Sequence, residues 1–188
     1  MIKVTAAGRA GIIGNPTDGY GGAMIACSIK NKAIATIEEC DELVIKNSFG
    51  EVVLRWENDF ENKGDYFDIV RSVLRHLKAY DLKAKITTHS NVPLQAGLAG
   101  STAILSSVLS AVLAYMGKKV HRYQLAEINR DIELNYMKCQ CGYQDAYMTT
   151  FGGLNYLDFR GKEYYKEWHR EQYATVENLS QYVDELPF

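Results

Sequence analysis

The run Pro93-Leu94-Gln95-Ala96-Gly97-Leu98-Ala99-Gly100-Ser101-Thr102 holds the strongest chemical signal in the chain. Its two glycines free the backbone to turn several N–H groups onto one anion. From Ser101 to Tyr115 the chain is rich in Ala, Leu and Val, which predicts a largely buried helix. Such a helix points its positive end at the same anion. Ser101 and Thr102 can cap it, or offer a hydroxyl to a phosphate or to Mg2+. The run lacks the Gly-Lys-Ser/Thr ending of a Walker A loop, and its glycine spacing does not fit a dinucleotide fingerprint. On the residues alone, a glycine turn with a serine cap before a core helix is an equal reading.

A second set is Glu133 with Gln144 and Asp145. Asp145 stands among Tyr143, Ala146, Tyr147 and Met148, so burial threatens it and a partner is required. Arg9 or a bound Mg2+ would serve, and a capping or salt-bridging acid is the plainer alternative. Phosphoryl transfer needs charge compensation on the phosphates and an oriented hydroxyl. Arg9, Ser101, Glu133 and Asp145 are residues of the right types for those tasks. The four histidines, His76, His89, His121 and His169, have no Ser or Cys partner in a nucleophile setting; His121 reads as a helix cap.

These residues need a scaffold. Lys3 to Ala7 reads as a strand that runs into tight turns over Gly8 to Gly22, unless that backbone must approach something closely. Strands are expected over Ala23–Ile29, Lys32–Glu38, Leu43–Asn47 and Glu51–Trp56, with a hairpin turn at Ser48-Phe49-Gly50. Asp65 to Tyr80 changes period, with Phe67, Val70, Leu74 and Leu77 on one helical face and Asp65 as N-cap. Lys83–His89 reads as a strand, His121–Tyr136 and Cys141–Thr150 as helices, and Leu154–Phe159 as a last strand. Strands first and helices afterwards predict an α+β domain, a mixed sheet with its helices on one face. Residues 1–160 form that domain, and 161–188 read as a polar arm or the opening of a further domain.

Bulk properties narrow the function. Hydrophobic residues make up 47% and charged residues 23% of the 188 residues, too apolar for disorder. A net charge of −2 without a basic track argues against nucleic acid as a partner. No signal peptide or membrane span is read, which gives an expected cytoplasmic location. Cys27, Cys40, Cys139 and Cys141 lack the spacing of a metal set and read as buried thiols.

Three segments together resemble the GHMP kinases, the family named after galactokinase, homoserine kinase, mevalonate kinase and phosphomevalonate kinase. They are Ala7 to Asp18, Pro93 to Ala103, and Glu133 with Cys141-Gly142-Tyr143-Gln144-Asp145 and Gly152-Gly153. The resemblance spans about residues 2 to 160 and implies the ribosomal protein S5 domain 2-like fold of that family's N-terminal domain. It implies that Pro93, Gln95, Ala96, Gly97, Leu98, Ala99, Gly100, Ser101 and Thr102 wrap the phosphates of ATP, with Ser101 and Glu133 at Mg2+. It implies that Asp145 is the catalytic acid facing the acceptor hydroxyl, with Arg9 compensating charge. Asn15, Asp18, Gly21, Gly22 and Gln144 would lie on the substrate side.

Asn15-Pro16 and Gly100 depart from many members and resemble the glucuronokinase type, although Ala99 replaces a serine of that pattern. The resemblance thus implies a kinase of a small sugar or sugar acid acting at the anomeric hydroxyl. Heptose-phosphate kinases are close rivals, and mevalonate kinase is a more distant one. Members carry a second domain, so a fragment, a truncated protein and one half of a split enzyme are all open readings. Self-association into a homodimer through the surface that such a half would cover is a further expectation. Two other functions are open to the sequence: a nucleotide-binding domain without turnover, and an RNA-associated domain disfavoured by charge.

Overall fold

The computed structural model describes residues 1–93, 95–162 and 173–183. Seven strands form one mixed sheet: β1 (Ile2–Ile13), β2 (Ala23–Glu39), β3 (Leu43–Asn47), β4 (Gly50–Leu54), β5 (Ala84–Ser90), β6 (Leu154–Asp158) and β7 (Thr175–Asn178). Four α-helices among the described residues accompany it: α1 (Asp68–Leu77), α2 (Gly100–Tyr115), α3 (Arg122–Asp131) and α4 (Gln144–Phe151).

β2 is the spine of the sheet. Along one edge it pairs antiparallel with β1, from Ile2 opposite Ile37 to Ile13 opposite Ile25. Its other edge is shared end to end by β5, opposite Ala33–Glu39, and β6, opposite Ala23–Cys27. Only β3 and β5 run parallel among the described pairs. Alternation along β2 sends Ala33, Ala35 and Ile37 to one face, where all three are fully buried. α2 lies across β1, β2 and β5, and α1, α3 and α4 pack around it. Val108, Leu109 and Val112 of α2 close the core against Ile45, Ile86, Val73 and Leu74. Each such buried side chain contributes about 1.5–3 kcal/mol relative to exposure.

Several expectations are corrected. Gly8 to Ile13 are not turns, because β1 continues through them. The two runs Ala23–Ile29 and Lys32–Glu38 are one strand. α1 starts at Asp68, three residues beyond Asp65, whose Oδ1 accepts from the Phe67 N–H at 2.8 Å and from the buried Arg71 at 2.6 Å. α3 ends at Asp131, where the chain widens into a π turn, Ile132–Tyr136, before α4. His121 does cap α3, its Nδ1 accepting from the Gln124 N–H at 3.2 Å. Of the thiols only Cys27 is buried, and Cys139 is exposed. Residues 163–172 and 184–188 of the expected arm, His169 among them, lie outside the described residues. What is described of it adds β7 to the outer edge of β6. No described helix is long and apolar enough to cross a membrane.

Gly8 shows why a strand here carries a glycine. The register of β1 slips between Ala7 and Arg9, and a Cβ at Gly8 would lie 2.7 Å from the Leu98 carbonyl oxygen. Next to it the Arg9 N–H donates to that same oxygen at 3.1 Å. The strand and the glycine-rich loop are therefore in backbone contact. Gly8→Ala is expected to push the loop away at a cost of about 1–3 kcal/mol, read as a lower denaturant midpoint.

Candidate active site

The loop between β5 and α2 alternates its backbone hand. Gln95, Gly97 and Ala99 have φ of 54°, 67° and 57°. Two of the three are not glycine, and such left-handed residues cluster at binding sites. Alternating hands turn successive N–H groups to one side and form an anion-binding concavity. α2 begins at Gly100 with no side-chain cap from Ala99, so its first N–H groups stay open beside that concavity. Pro93 leads into the loop, Leu94 lies outside the described residues, and Ala96 and Leu98 complete the turn.

Arg9 joins this loop to the acid on α4. Its Nη1 donates to the Gly97 carbonyl at 2.6 Å, while Nε and Nη2 both donate to Asp145 Oδ1 at 2.7 and 2.5 Å. The partner required for Asp145 is thus Arg9, 136 residues away in sequence. Because both contacts fall on Oδ1, Oδ2 stands outside the ion pair. Burial pushes the Asp145 carboxyl above its ordinary value, with Arg9 opposing and the Asp18 charge adding to the rise.

Asp18 is what orients α4. It is buried, and its Oδ2 accepts from the N–H groups of Tyr143 and Gln144 at 2.8 and 2.9 Å. That oxygen, expected at a substrate, is committed to the first turn of the helix that carries Asp145. Gln144 is 1% exposed, and its Nε2 is buried without a hydrogen-bond partner. A Cβ at Gly11 would meet that Nε2 at 3.1 Å and the Asn15 Cβ at 3.2 Å, so Asn15 and Gln144 flank Gly11. Gly21 and Gly22 close the short turn that holds Asp18, the Gly22 N–H donating to the Thr17 carbonyl at 2.9 Å.

Glu133 sits on the π turn, a feature that marks functional sites more often than chance. It is 4% exposed; Oε1 accepts from the Thr102 hydroxyl at 2.6 Å, and Oε2 is buried without a hydrogen-bond partner. Burial pushes its carboxyl up. An orphaned carboxylate oxygen beside the first turn of α2 fits a hard divalent cation. The hydroxyl that meets Glu133 is that of Thr102; Ser101 instead lines a cleft on the other side of the loop.

Sequence reasoning missed that cleft. It encloses about 340 Å3 between the β3–β4 turn, β5 and α1, with Phe49, Tyr66, Ile69, Thr88, Ser101 and Ile104 in its wall. The Phe49 and Tyr66 rings stack 3.9 Å apart, 9° from parallel, and both are largely exposed. An aromatic residue at a hairpin tip was the available signal, because a turn alone has no need of one.

Residues 68–153 match a family model described as the GHMP kinases N terminal domain. Over those residues the chain is similar to a GHMP kinase N-terminal domain. A galactokinase from Thermosipho africanus is 27% identical over 162 residues, which cover 84% of this chain and 46% of that protein. Probable glucuronokinase 2 from Arabidopsis thaliana is 31% identical over 178 residues, 80% of this chain and 47% of that protein. Among solved structures, a D-glycero-D-manno-heptose 1-phosphate kinase from Bacteriodes thetaiotaomicron superposes with a TM-score of 0.78 at 22% identity. That match covers 94% of this chain and 59% of the other. The described residues therefore have the ribosomal protein S5 domain 2-like fold. The chain spans about half the length of the curated relatives it matches.

Proposed function

We propose that this GHMP kinase domain binds ATP with Mg2+ and serves phosphoryl transfer to a hydroxyl of a small sugar or sugar acid, at the anomeric position. The observation that carries the reading is Arg9, whose guanidinium holds the Gly97 carbonyl and the Asp145 carboxylate at once. It ties the place of the phosphates to the place of the acceptor hydroxyl. In this assignment residues 1–160 are the nucleotide-binding domain and 161–188 an arm or the opening of a further domain.

The concavity of Gln95 to Ala99 and the open N–H groups of α2 would take the phosphate oxygens. The base would enter the cleft and stack on Phe49 and Tyr66, with Ser101 between base and phosphates. Glu133, through Oε2, would hold Mg2+, which neutralises phosphate charge when bound. Arg9 compensates the charge that grows on the transferred group. Asp145 Oδ2 faces the acceptor hydroxyl and accepts its proton or orients it. Asn15 and Gln144 would bind the sugar, while Asp18, Gly21 and Gly22 shape the wall behind it.

Calorimetric titration with a non-hydrolysable ATP analogue and Mg2+ tests the reading. Ser101→Ala is expected to weaken binding about fivefold, the worth of one hydrogen bond. Phe49→Ala with Tyr66→Ala is expected to weaken it tenfold or more, since base stacking is worth about 1–3 kcal/mol. Equal affinity in all three proteins would remove the loop and the cleft from nucleotide binding. Binding without turnover on any sugar would leave the domain a nucleotide binder that needs a further half.

A further inference from the structure

Three helices meet along a buried polar seam. Ser106 of α2, Asn129 of α3 and Thr149 of α4 are 2%, 0% and 6% exposed. The Thr149 hydroxyl donates to the Asp145 carbonyl, one turn earlier in α4, at 2.8 Å. A hydroxyl has one proton, so Thr149 Oγ1 accepts in its 2.7 Å contact with Ser106, and Ser106 is the donor there. With its own proton used, Ser106 Oγ accepts from Asn129 Nδ2. The donors therefore run one way, from α3 through α2 to α4. They end on the backbone of the residue whose side chain holds Arg9. Thr102 lies four residues before Ser106, and Glu133 four residues after Asn129, so the Thr102–Glu133 bond continues the seam towards the glycine-rich loop.

Such a seam does little for stability. Asn129 Oδ1 is buried and has no hydrogen-bond partner among the described residues, whereas apolar side chains at the three positions would leave no side-chain polar atom unsatisfied. What the hydrogen bonds supply is direction, because each fixes a distance and an angle where apolar packing tolerates sliding. We propose that Asn129, Ser106 and Thr149 are positioning residues that lock the first turn of α4, and with it the Asp145 carboxylate, against α2. α4 has only eight residues. Asp18 holds the N–H groups at its start, and the seam holds the Asp145 carbonyl, so the acid is fixed from two sides. The effect on phosphoryl transfer rests on the kinase reading; the placing of Asp145 against Arg9 does not.

Two measurements on the whole chain test the seam. The first needs no sugar: the Arg9 Nε–H, bonded to Asp145 Oδ1 at 2.7 Å, is expected to give a slowly exchanging NMR resonance. Thr149→Val and Ser106→Ala are expected to speed its exchange with water by about tenfold, and Thr149→Ser, which keeps the hydroxyl, to restore it. Ser107→Ala removes a buried hydroxyl of α2 outside the seam and is expected to leave the resonance unchanged. The second is steady-state kinetics, where Thr149→Val lowers kcat by about tenfold to a hundredfold and shifts KM for ATP by less than about twofold. Combining Asn129→Leu, Ser106→Ala and Thr149→Val removes all three partners at once, so that protein is expected to keep its denaturant midpoint and still be slow. No protected Arg9 resonance in the unaltered chain, or an unchanged one in both single variants and the triple variant, overturns the proposal. So does a triple variant with unaltered kcat. A seam-dependent resonance in a chain that binds no ATP analogue defeats the kinase reading alone.

Discussion

If the proposed kinase reading holds, Asp145→Asn is expected to lower the rate of phosphoryl transfer by about 10²–10⁴-fold, with nucleotide affinity nearly unchanged. In the proposed reading the loss falls on turnover, because Oδ2 lies outside the ion pair and would meet the acceptor hydroxyl, whereas the phosphates would rest on the loop. Asparagine keeps an acceptor oxygen for Arg9 and so leaves the 2.6 Å tie from Arg9 to Gly97 in place. The pH dependence follows from the environment of the acid. Burial dominates over Arg9 and holds the Asp145 carboxyl above its ordinary value. The ionised form is the one that accepts a proton or orients a hydroxyl. Activity is therefore lost as pH falls through that raised value, and the acid limb lies above the usual aspartate range. Arg9→Gln removes the opposing charge and leaves burial and Asp18, so the limb moves to higher pH. Profiles of kcat/KM against pH for the two proteins check the direction. A limb that stays in place in Arg9→Gln would show that another group sets it.

Gly142→Ala is expected to destabilise the fold by about 3–5 kcal/mol and to abolish measurable turnover. A Cβ at Gly142 would lie 2.0 Å from Asp18 Oδ2 and 2.7 Å from its Cγ, an overlap relieved only when the Asp18 carboxylate shifts. Asp18 must leave, and the Tyr143 and Gln144 N–H groups lose their acceptor. Hydrogen bonds to a charged group contribute about 1.5–3 kcal/mol each. Asp145 stands in the first turn of the same helix, so the damage reaches the acid directly. Denaturant unfolding of Gly142→Ala, Asp18→Ala and the double variant measures the coupling. If the glycine acts through Asp18, the double variant is no worse than Asp18→Ala by more than a few tenths of a kcal/mol. Simple additivity would place the strain elsewhere.

The two constellations most visible in the sequence are visible for a physical reason. A long apolar run after paired glycines predicts a buried helix beside an anion site, and α2 starts one residue before the expected Ser101. Asp145 among aromatic residues announces that a cation must reach it, and Arg9 does. Other features were hidden because they depend on distant partners. Glycines over Gly8 to Gly14 signal turns in isolation; that Gly8 is a strand residue follows only from the nearness of Leu98. The widening at Ile132–Tyr136 leaves no trace in a 3.6-residue period, since Leu125, Ile128 and Ile132 fit an unbroken helix equally well. Asp18 looks like any loop acid until the start of α4, 125 residues away, is brought to it.

The divided edge of β2 has a mechanical consequence. β5 and β6 pair with separate stretches of it; the Ser28 N–H reaches Gly153 and the Lys32 carbonyl reaches Asn91 on either side of the parting. The aromatic cleft belongs to the β5 side and the Asp18–Asp145 wall to the β6 side. The β1–β2 ribbon runs the full length of both, and Arg9 stands near its middle, at the slip in register. Torsion of that ribbon would swing the two halves like plates on a shared axle, and the distance from the aromatic cleft to the Asp18–Asp145 wall would change with it.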